Sequence, residues 1–311
     1  MIINDKSIIY NGDKIVDEWN IELNLGYDHL LVGMSGGMDS SILLWMIAYH
    51  MDKNNLDGTI HAYSVNHEER PWQAYHAKKV LKYVKEEFPN VKFGKHFEST
   101  TPGCQYIESG NKLQWKACWE LALSGETVAT YNGVTLNPPN EIGEDIWKDN
   151  WVKRAMNRNF ETIEHWKTID GEEIHHNNQS YVERAGGEWI DSDWHYGEGV
   201  EHHEQVARDH NEYHIQHYPF CTQDKRVVLA FYKKYGQLVS LGSLTNSCEG
   251  AIWMRGNPKY SRPCHWCWWC IEKEWATSAI YHYNANDAMR NWPAFMKGYK
   301  FADKRPYLPN K

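Results

Sequence analysis

The sequence predicts an α/β protein built on an open, doubly wound parallel sheet. Short apolar runs alternate with helix-like stretches at the intervals of βαβ units. The first long apolar run breaks at a glycine pair, in "LLVGMSGGMDSSILLW" (31–46), and then turns apolar again. The intervening stretches also carry helix start and stop residues, such as Pro71 and Gly236.

Taken in order, the opening residues read as a hairpin, "SIIY" and "KIVDEWNI" joined at Asn11-Gly12, a two-residue turn signal. A buried strand over His29–Met34 leads into the glycine loop and an apolar helix over 39–50. "GTIHAYSVN" (58–66) is a second strand and "PWQAYHAKKVLKYVKEEF" (71–88) a helix with Pro71 in its first turn. "VKFGKHFES" (91–99) is a third strand, "NKLQWKACWELALSG" (111–125) a third helix and "ETVATYNGV" (126–134) a fourth strand. Strands enclosed by helices on both faces read as continuous apolar runs, and these do.

The pattern fails from about 138 to 217, a stretch rich in His, Trp, Asp, Glu and Asn. It reads as an insertion with weak helical pieces such as "DIWKDNWVKRAMNRNF" (145–160). "DKRVVLAFYKKYG" (224–236) resumes as a helix with a Lys-rich last turn. "QLVSLGSLTNSC" leads into a cysteine cluster, and "IEKEWATSAIYHYN" and "NDAMRNWPAFMKG" close the chain as helices. The expected organisation is therefore 1–137 as nucleotide-binding α/β domain, 138–217 as insertion, 218–245 as a return to the α/β domain, and 246–311 as a cysteine-bearing helical region.

The 311 residues are 41% hydrophobic and 24% charged with a net charge of −8, a globular balance without the excess Lys and Arg of a nucleic-acid binder. No apolar run approaches the roughly 20 residues of a membrane span, and "MIINDKSIIYNGDK" lacks the features of a secretory leader. Seven cysteines, four of them near the C-terminus, suit a reducing compartment with a metal site. The expected location is the cytoplasm.

In the loop, Gly36 and Gly37 permit backbone angles closed to other residues. Successive N–H groups can then form a concave anion nest, continued by the N-terminus of the next helix. Ser35, Ser40 and Ser41 add hydroxyl donors, and Met38 adds a main-chain donor. Asp39 would repel a bare phosphate, so it implies a divalent cation with the nucleotide. The loop has neither the Gly-Lys-Ser/Thr ending of Walker A nor the G-x-G-x-x-G of a dinucleotide fold.

"SRPCHWCWWCIEKEW" spaces Cys264, Cys267 and Cys270 two residues apart, with Cys248 upstream in "TNSCEG". Two thiolates of a C-x2-C turn aim at one point, the third can reach it from the start of the next helix, and Cys248 is the candidate fourth. Four thiolates suit a closed, structural zinc site. An iron–sulfur cluster also fits the spacing, and His265 could replace Cys248.

Ser35-Gly36-Gly37-Met38-Asp39-Ser40 matches the SGGxDS signature of the PP-loop ATP pyrophosphatases. Joined to a cysteine upstream of C-x2-C-x2-C, it resembles the QueC-type 7-cyano-7-deazaguanine synthases over roughly residues 28–135 and 218–275. The resemblance implies the adenine nucleotide alpha hydrolase (HUP-like) fold, ATP cleavage between the α and β phosphates, and bound ATP, Mg²⁺ and zinc. Such enzymes adenylate the carboxylate of 7-carboxy-7-deazaguanine, form the amide with ammonia, and dehydrate it to the nitrile in a second ATP-dependent round. By the match of "YPFCTQDKRVVLAFYKKYGQLVSLGSLTNSCEG", Lys225 would approach the phosphates with Asp224 beside it. Ser35, Asp39, Ser40 and Lys225 form the expected catalytic set. Ser35 to Ser41, with Tyr63 and Ser64 at the end of the second strand, form the expected nucleotide contacts.

Three features depart from the family. The gap from Cys248 to Cys264 is longer, "SVNHEERPW" only loosely matches a Tyr-Gly-Gln-x-His pattern, and the 138–217 stretch has no counterpart.

Tyr131 and Asn132, at the end of the fourth strand, sit where parallel sheets present ligand residues, and are read as substrate contacts. His202, His203, Glu204 and His210 are the best-placed candidates for a second metal, against the ordinary reading of a solvated polar stretch. The many Trp read chiefly as core or interface, with stacking on a flat heterocycle as the sharper alternative. Cys104, Cys118 and Cys221 read as inert thiols, although Cys221 lies near the loop and could carry a persulfide.

Two other functions remain open. One is sulfur insertion into a tRNA base, which the acidic balance disfavours. The other is a zinc-bearing module that holds nucleotide without turnover. The leading expectation takes a heterocyclic acid and ammonia as partners, with no membrane, no nucleic-acid substrate and a homodimer left open.

Overall fold

The computed structural model describes residues 1–67, 72–101, most of 113–121, 126–135, 214–248 and 268–281, with three short strands between 179 and 196. The chain opens with β1 (Ile2–Asn11) and β2 (Lys14–Asn24), an antiparallel hairpin. Asn11 still pairs with Lys14, so the connection is Gly12-Asp13, one residue later than the Asn11-Gly12 signal. Glycine at the first central position is what a type II′ hairpin turn selects. Alternation along both strands buries Asp5, Ser7, Ile9, Trp19, Ile21 and Leu23 on one face.

The remaining strands are β3 (His29–Gly33), β4 (Thr59–His67), β5 (Lys92–Thr101), β6 (Val128–Tyr131), β7 (Gln179–Tyr181), β8 (Gly187–Ile190), β9 (Asp193–Tyr196) and β10 (His214–His217). The main sheet runs β5-β4-β3-β6-β10-β7. Its first five strands are parallel, and β7 lies antiparallel against the β10 edge. The sheet thus takes in β7 and β10 from the stretch read as an insertion, while β8 and β9 pair separately. The expected open parallel α/β sheet is the observed one.

Helices α1 (Met38–Asn54), α2 (Trp72–Glu87), α3 (Arg226–Lys234), α4 (Leu241–Leu244) and α5 (Trp268–Tyr281) complete the labelled elements. Two cores separate the faces of the sheet. Leu30, Val32, Ile60, Ala62 and Ala129 point into the larger one, shared with α1, α2, α3, α5 and the hairpin. Leu31, Tyr63 and Val128 point the other way, onto Leu113, Ala117, Cys118 and Leu121 of the helical stretch 113–121. This alternation on successive strand residues is why both faces need apolar side chains.

The chain lays β4 and β5 on one side of β3, then returns to add β6 and β10 on the other. The strand order therefore reverses between β3 and β6, and open α/β sheets bind ligands beyond the carboxyl ends at that point. The glycine loop follows β3 there, and α1, buried on nearly all sides, anchors it. No described helix is long and apolar enough to cross a membrane. The expected helices at 145–160 and 286–298 lie outside the described residues.

Candidate functional site

The loop turns sharply at Gly36, whose φ is +72°. A Cβ there would also come within 2.5 Å of the Gln73 carbonyl oxygen and 2.8 Å of the Ala77 nitrogen. Glycine is needed twice over, for the backbone angle and for the approach to the first turns of α2. Gly37 returns to extended backbone and caps α1, with no side chain of its own to meet the first N–H groups. Serine hydroxyls meet them instead: Gly37 N–H donates to Ser35 Oγ at 3.3 Å and Met38 N–H to Ser247 Oγ at 3.0 Å. Ser41 donates to the Gly37 carbonyl at 2.6 Å, and Ser40 Oγ lies 3.3 Å from Ser35 Oγ.

Asp39, in the first turn of α1, accepts a hydrogen bond from the Lys225 ammonium although the two are 186 residues apart. Lys225 immediately precedes α3 and is only 1% exposed. Its Nζ also lies 3.5 Å from Glu272 Oε2, and Glu272, from α5, is fully buried. One cation thus faces two carboxylates, and Asp39 alone of the three, at 20% exposed, reaches toward solvent. Asp224 does not join them. It grips Arg226 through a fork of 2.8 and 3.0 Å bonds and accepts the Arg226 N–H at 2.9 Å, fixing the start of α3. Tyr232, donating to the Met38 carbonyl at 3.2 Å, has its phenol held well above the ordinary range by burial and then by the charge of Asp39.

The segment before the cysteines clasps the loop. Asn246 N–H donates to the Gly36 carbonyl at 2.8 Å, and Ser247 caps Met38 as described. Asn246 Oδ1 accepts the Cys248 N–H at 3.0 Å, and Trp72 Nε1 donates to the Cys248 carbonyl at 2.9 Å. Cys248 and Cys270, the latter in the first turn of α5, are buried together beside Trp269. Cys264, Cys267 and His265 lie outside the described residues, as do Cys104, His202, His203, Glu204 and His210. Among the described residues, no group of three or more His, Cys, Asp and Glu side chains is placed to hold a metal.

Beyond the carboxyl ends of β4 and β6 lies a second polar group. The Tyr63 hydroxyl sits 2.6 Å from Asn132 Oδ1 and 2.7 Å from Gln114 Oε1. With one proton it donates to one of these amide oxygens at a time, and the Gln114 NH₂ donates to Thr130 Oγ1 at 3.3 Å. Ser64 donates to the Met34 carbonyl at 2.7 Å and accepts from His96 Nε2 at 2.9 Å. Burial lowers the His96 pKa, which keeps that ring neutral. Gly133 crosses α1 so closely that a Cβ would meet the Asp39 carbonyl carbon at 2.8 Å. Tyr131 is fully buried under the hairpin, its hydroxyl on the Asn24 carbonyl and its ring stacked on His217. Cys221 is buried in the loop after Tyr218, its N–H donating to the Tyr218 carbonyl at 3.0 Å.

The structure therefore gathers Ser35 to Ser41 with Lys225 in one place, and stations Tyr63, Asn132 and Ser64 beside it. Sequence reasoning missed Asn246, Ser247, Gln114 and Glu272. Asn246 and Ser247 could have been noticed as a hydroxyl–amide pair next to a candidate ligand. Glu272 had only the signal of an acid among tryptophans. Hydroxyl-capped N–H groups, a helix N-terminus, a cation and a partly exposed carboxylate together can hold a polyphosphate with its divalent ion.

No protein-family model matches the chain, and no curated protein matches it. Among solved structures it is similar to the U34-tRNA thiolase NcsA of Methanococcus maripaludis, solved with its [4Fe-4S] cluster. The identity is 10%, over 92% of this chain and 77% of that one, with a TM-score of 0.36.

Proposed function

We propose that the chain is a PP-loop ATP pyrophosphatase that adenylates the carboxylate of a 7-deazaguanine-type heterocycle and converts it with ammonia to the amide and nitrile. The observation that carries this reading is the meeting of Lys225 and Asp39 at the SGGMDS loop, at the strand-order reversal of the sheet. A carboxylate oxygen would attack the α-phosphorus of ATP and release pyrophosphate. Ammonia would then displace AMP. In the second round the amide oxygen is adenylated, and AMP and a proton depart to leave the nitrile.

That chemistry asks little of side chains beyond position and charge. Gly37 and Met38 N–H groups, now held by Ser35 and Ser247 oxygens, fit phosphate oxygens in the same positions. Lys225 would offset charge developing at the α-phosphate. Mg²⁺, held by Asp39, would supply charge neutralisation on the phosphates. Two buried thiols, Cys248 and Cys270, fit half of a zinc site that Cys264 and Cys267 would complete. Tyr63 and Asn132 are the residues best stationed to meet the heterocycle.

One observation favours a second reading, sulfur insertion into a nucleobase. Cys221 lies buried four residues before Lys225, and its N–H bonds the carbonyl of Tyr218, whose hydroxyl neighbours Asn132. The deciding experiment incubates the protein with ATP, Mg²⁺, ammonium and 7-carboxy-7-deazaguanine and seeks AMP, pyrophosphate and nitrile by mass spectrometry. AMP formation only with another acid would keep the class and discard the substrate. AMP formation that depends on a nucleobase and a sulfur donor, and on Cys221, would favour the second reading. No AMP under any condition would favour a binding module. Metal analysis distinguishes zinc from an iron–sulfur cluster.

A further inference from the structure

Glu272 has no part in the reading above, yet it is the most deeply buried charged group beside the loop. It is fully enclosed, and its Oε2 lies 3.5 Å from the Lys225 ammonium, which also donates to Asp39. A buried carboxylate is costly unless paired, and at 0% exposure Glu272 faces the Lys225 cation. Lys225 does not need two acids for its own charge, since Asp39 already neutralises it.

We infer that Glu272 is a positioning residue that keeps Lys225 neutralised when Asp39 turns to a divalent cation. This rests on the nucleotide-site reading. With Glu272 present, Asp39 can leave Lys225 for the metal, and the ammonium stays paired in the interior while it faces phosphate. Without Glu272, a metal ion taken by Asp39 removes the last carboxylate beside the buried ammonium and leaves phosphate alone to face it. The charge of Glu272 therefore acts on the metal requirement of nucleotide binding, through Lys225, with no contact to either ligand. α5, which starts within the cysteine motif, is the element that delivers it.

The test is the Mg²⁺ concentration that half-saturates ATP binding, measured by calorimetry on the full chain. Glu272→Gln should raise it by about tenfold or more, because a buried ion left without its partner is strongly penalised. Glu272→Asp should restore it to within about threefold, since charge rather than shape is at issue. A folded Glu272→Gln protein that binds ATP with unchanged Mg²⁺ dependence overturns the inference and leaves the nucleotide-site reading intact. A wild-type chain that binds no ATP at any Mg²⁺ concentration overturns both. Should Glu272→Gln unfold, Lys225→Met/Glu272→Gln leaves neither charge buried alone and is compared with Lys225→Met. Equal Mg²⁺ half-saturation in the two supports action through Lys225, and a further tenfold shift overturns it.

Discussion

Among the described residues, carboxylate and lysine meet away from solvent in two places, and the two are built differently. Under the hairpin, Asp5 is 4% exposed and takes bonds from Lys234, Tyr235 and His50, the last at 3.0 Å. There one acid has three donors, and the cluster ties β1 to α1 and α3. At the glycine loop the ratio is inverted, with two acids around Lys225 and one of them partly open to solvent. The first arrangement surrounds one carboxylate with donors, while the second sets two carboxylates around one cation at the N-terminus of α1. Burial of an ion pair is thus no mark of a functional site; the two clusters differ in their place relative to the sheet.

The largest effect should separate the two lysines. Lys225→Met is expected to lower AMP formation by about 10² to 10³-fold, the scale of losing one charge-stabilising group, and to lower stability as well, because it takes a cation from the buried Glu272. Lys234→Met should leave AMP formation within about threefold, because its loss is felt in folding alone. Rates from AMP quantification, with circular dichroism on each variant, decide the matter. Equal losses of activity would erase the distinction.

The acids should separate in the opposite sense. Asp5→Asn removes the buried carboxylate charge that three donors share, and the expected loss of stability is about 3 kcal/mol. At roughly 2–4 °C per kcal/mol, the melting temperature should drop by about 10 °C. Asp39→Asn leaves Lys225 paired with Glu272, so stability should change by less than about 1 kcal/mol. Thermal melts of the two proteins side by side test this, and a comparable drop in both would show that the loop cluster is structural after all.

Why one cluster was legible in the sequence and the other was not follows from distance along the chain. "SGGMDSS" announces itself because strand, loop and helix N-terminus are contiguous, and the fold class followed from the same local periodicities. Lys225 was placed near the loop only through resemblance, 186 residues away from Asp39. Glu272 and Ser247 had no such guide, since nothing local marks an acid in a Trp-rich helix or a serine before a cysteine. Asp5 was invisible for a further reason: a strand position facing a core is ordinarily apolar, and only the arrival of Lys234 and Tyr235 makes an acid tolerable there. The hairpin turn slipped by one residue because Asn-Gly and Gly-Asp are both turn pairs, and Asn11 found a partner in Lys14.

Acid should sharpen the contrast further by exposing groups that belong to neither cluster. Burial, then the nearby charges of His29 and Lys95, lowers the His61 pKa to about 4. Burial lowers that of His217 to about 3. Both folded values lie below the ordinary 6.5, so the unfolded chain takes up protons first as pH falls. Their contribution is complete above that value and is lost between it and about 4 for His61 and about 3 for His217, at up to about 1.4 kcal/mol per pH unit for each ring. Burial raises the Asp5 carboxyl, but bonds from His50, Lys234 and Tyr235 outweigh it and hold the group below 3.8. Its contribution is present above that value and lost only as pH falls through the lower folded one. Urea denaturation at pH 7 and pH 5 should therefore show a loss that His61→Asn reduces by about half. A loss of the same size in that variant would assign it elsewhere.

The smallest effect bears on the loop itself. Ser247→Ala removes the oxygen that accepts the Met38 N–H, a helix-capping contact of about 1 kcal/mol. Ser7→Ala removes a comparable bond in the other region, from Ser7 Oγ to the Ala230 carbonyl at 3.1 Å, worth about 1 kcal/mol. The two should differ when ATP and Mg²⁺ are added. If phosphate takes over the Met38 N–H, the wild-type hydroxyl is displaced in the bound state, and Ser247→Ala should bind nucleotide as well as wild type or slightly better. Its melting deficit would then shrink at saturating ligand, whereas that of Ser7→Ala would persist unchanged. A Ser247→Ala deficit indifferent to ATP would mean that hydroxyl and phosphate do not compete for the same N–H, and the anion would have to be sought elsewhere along the loop.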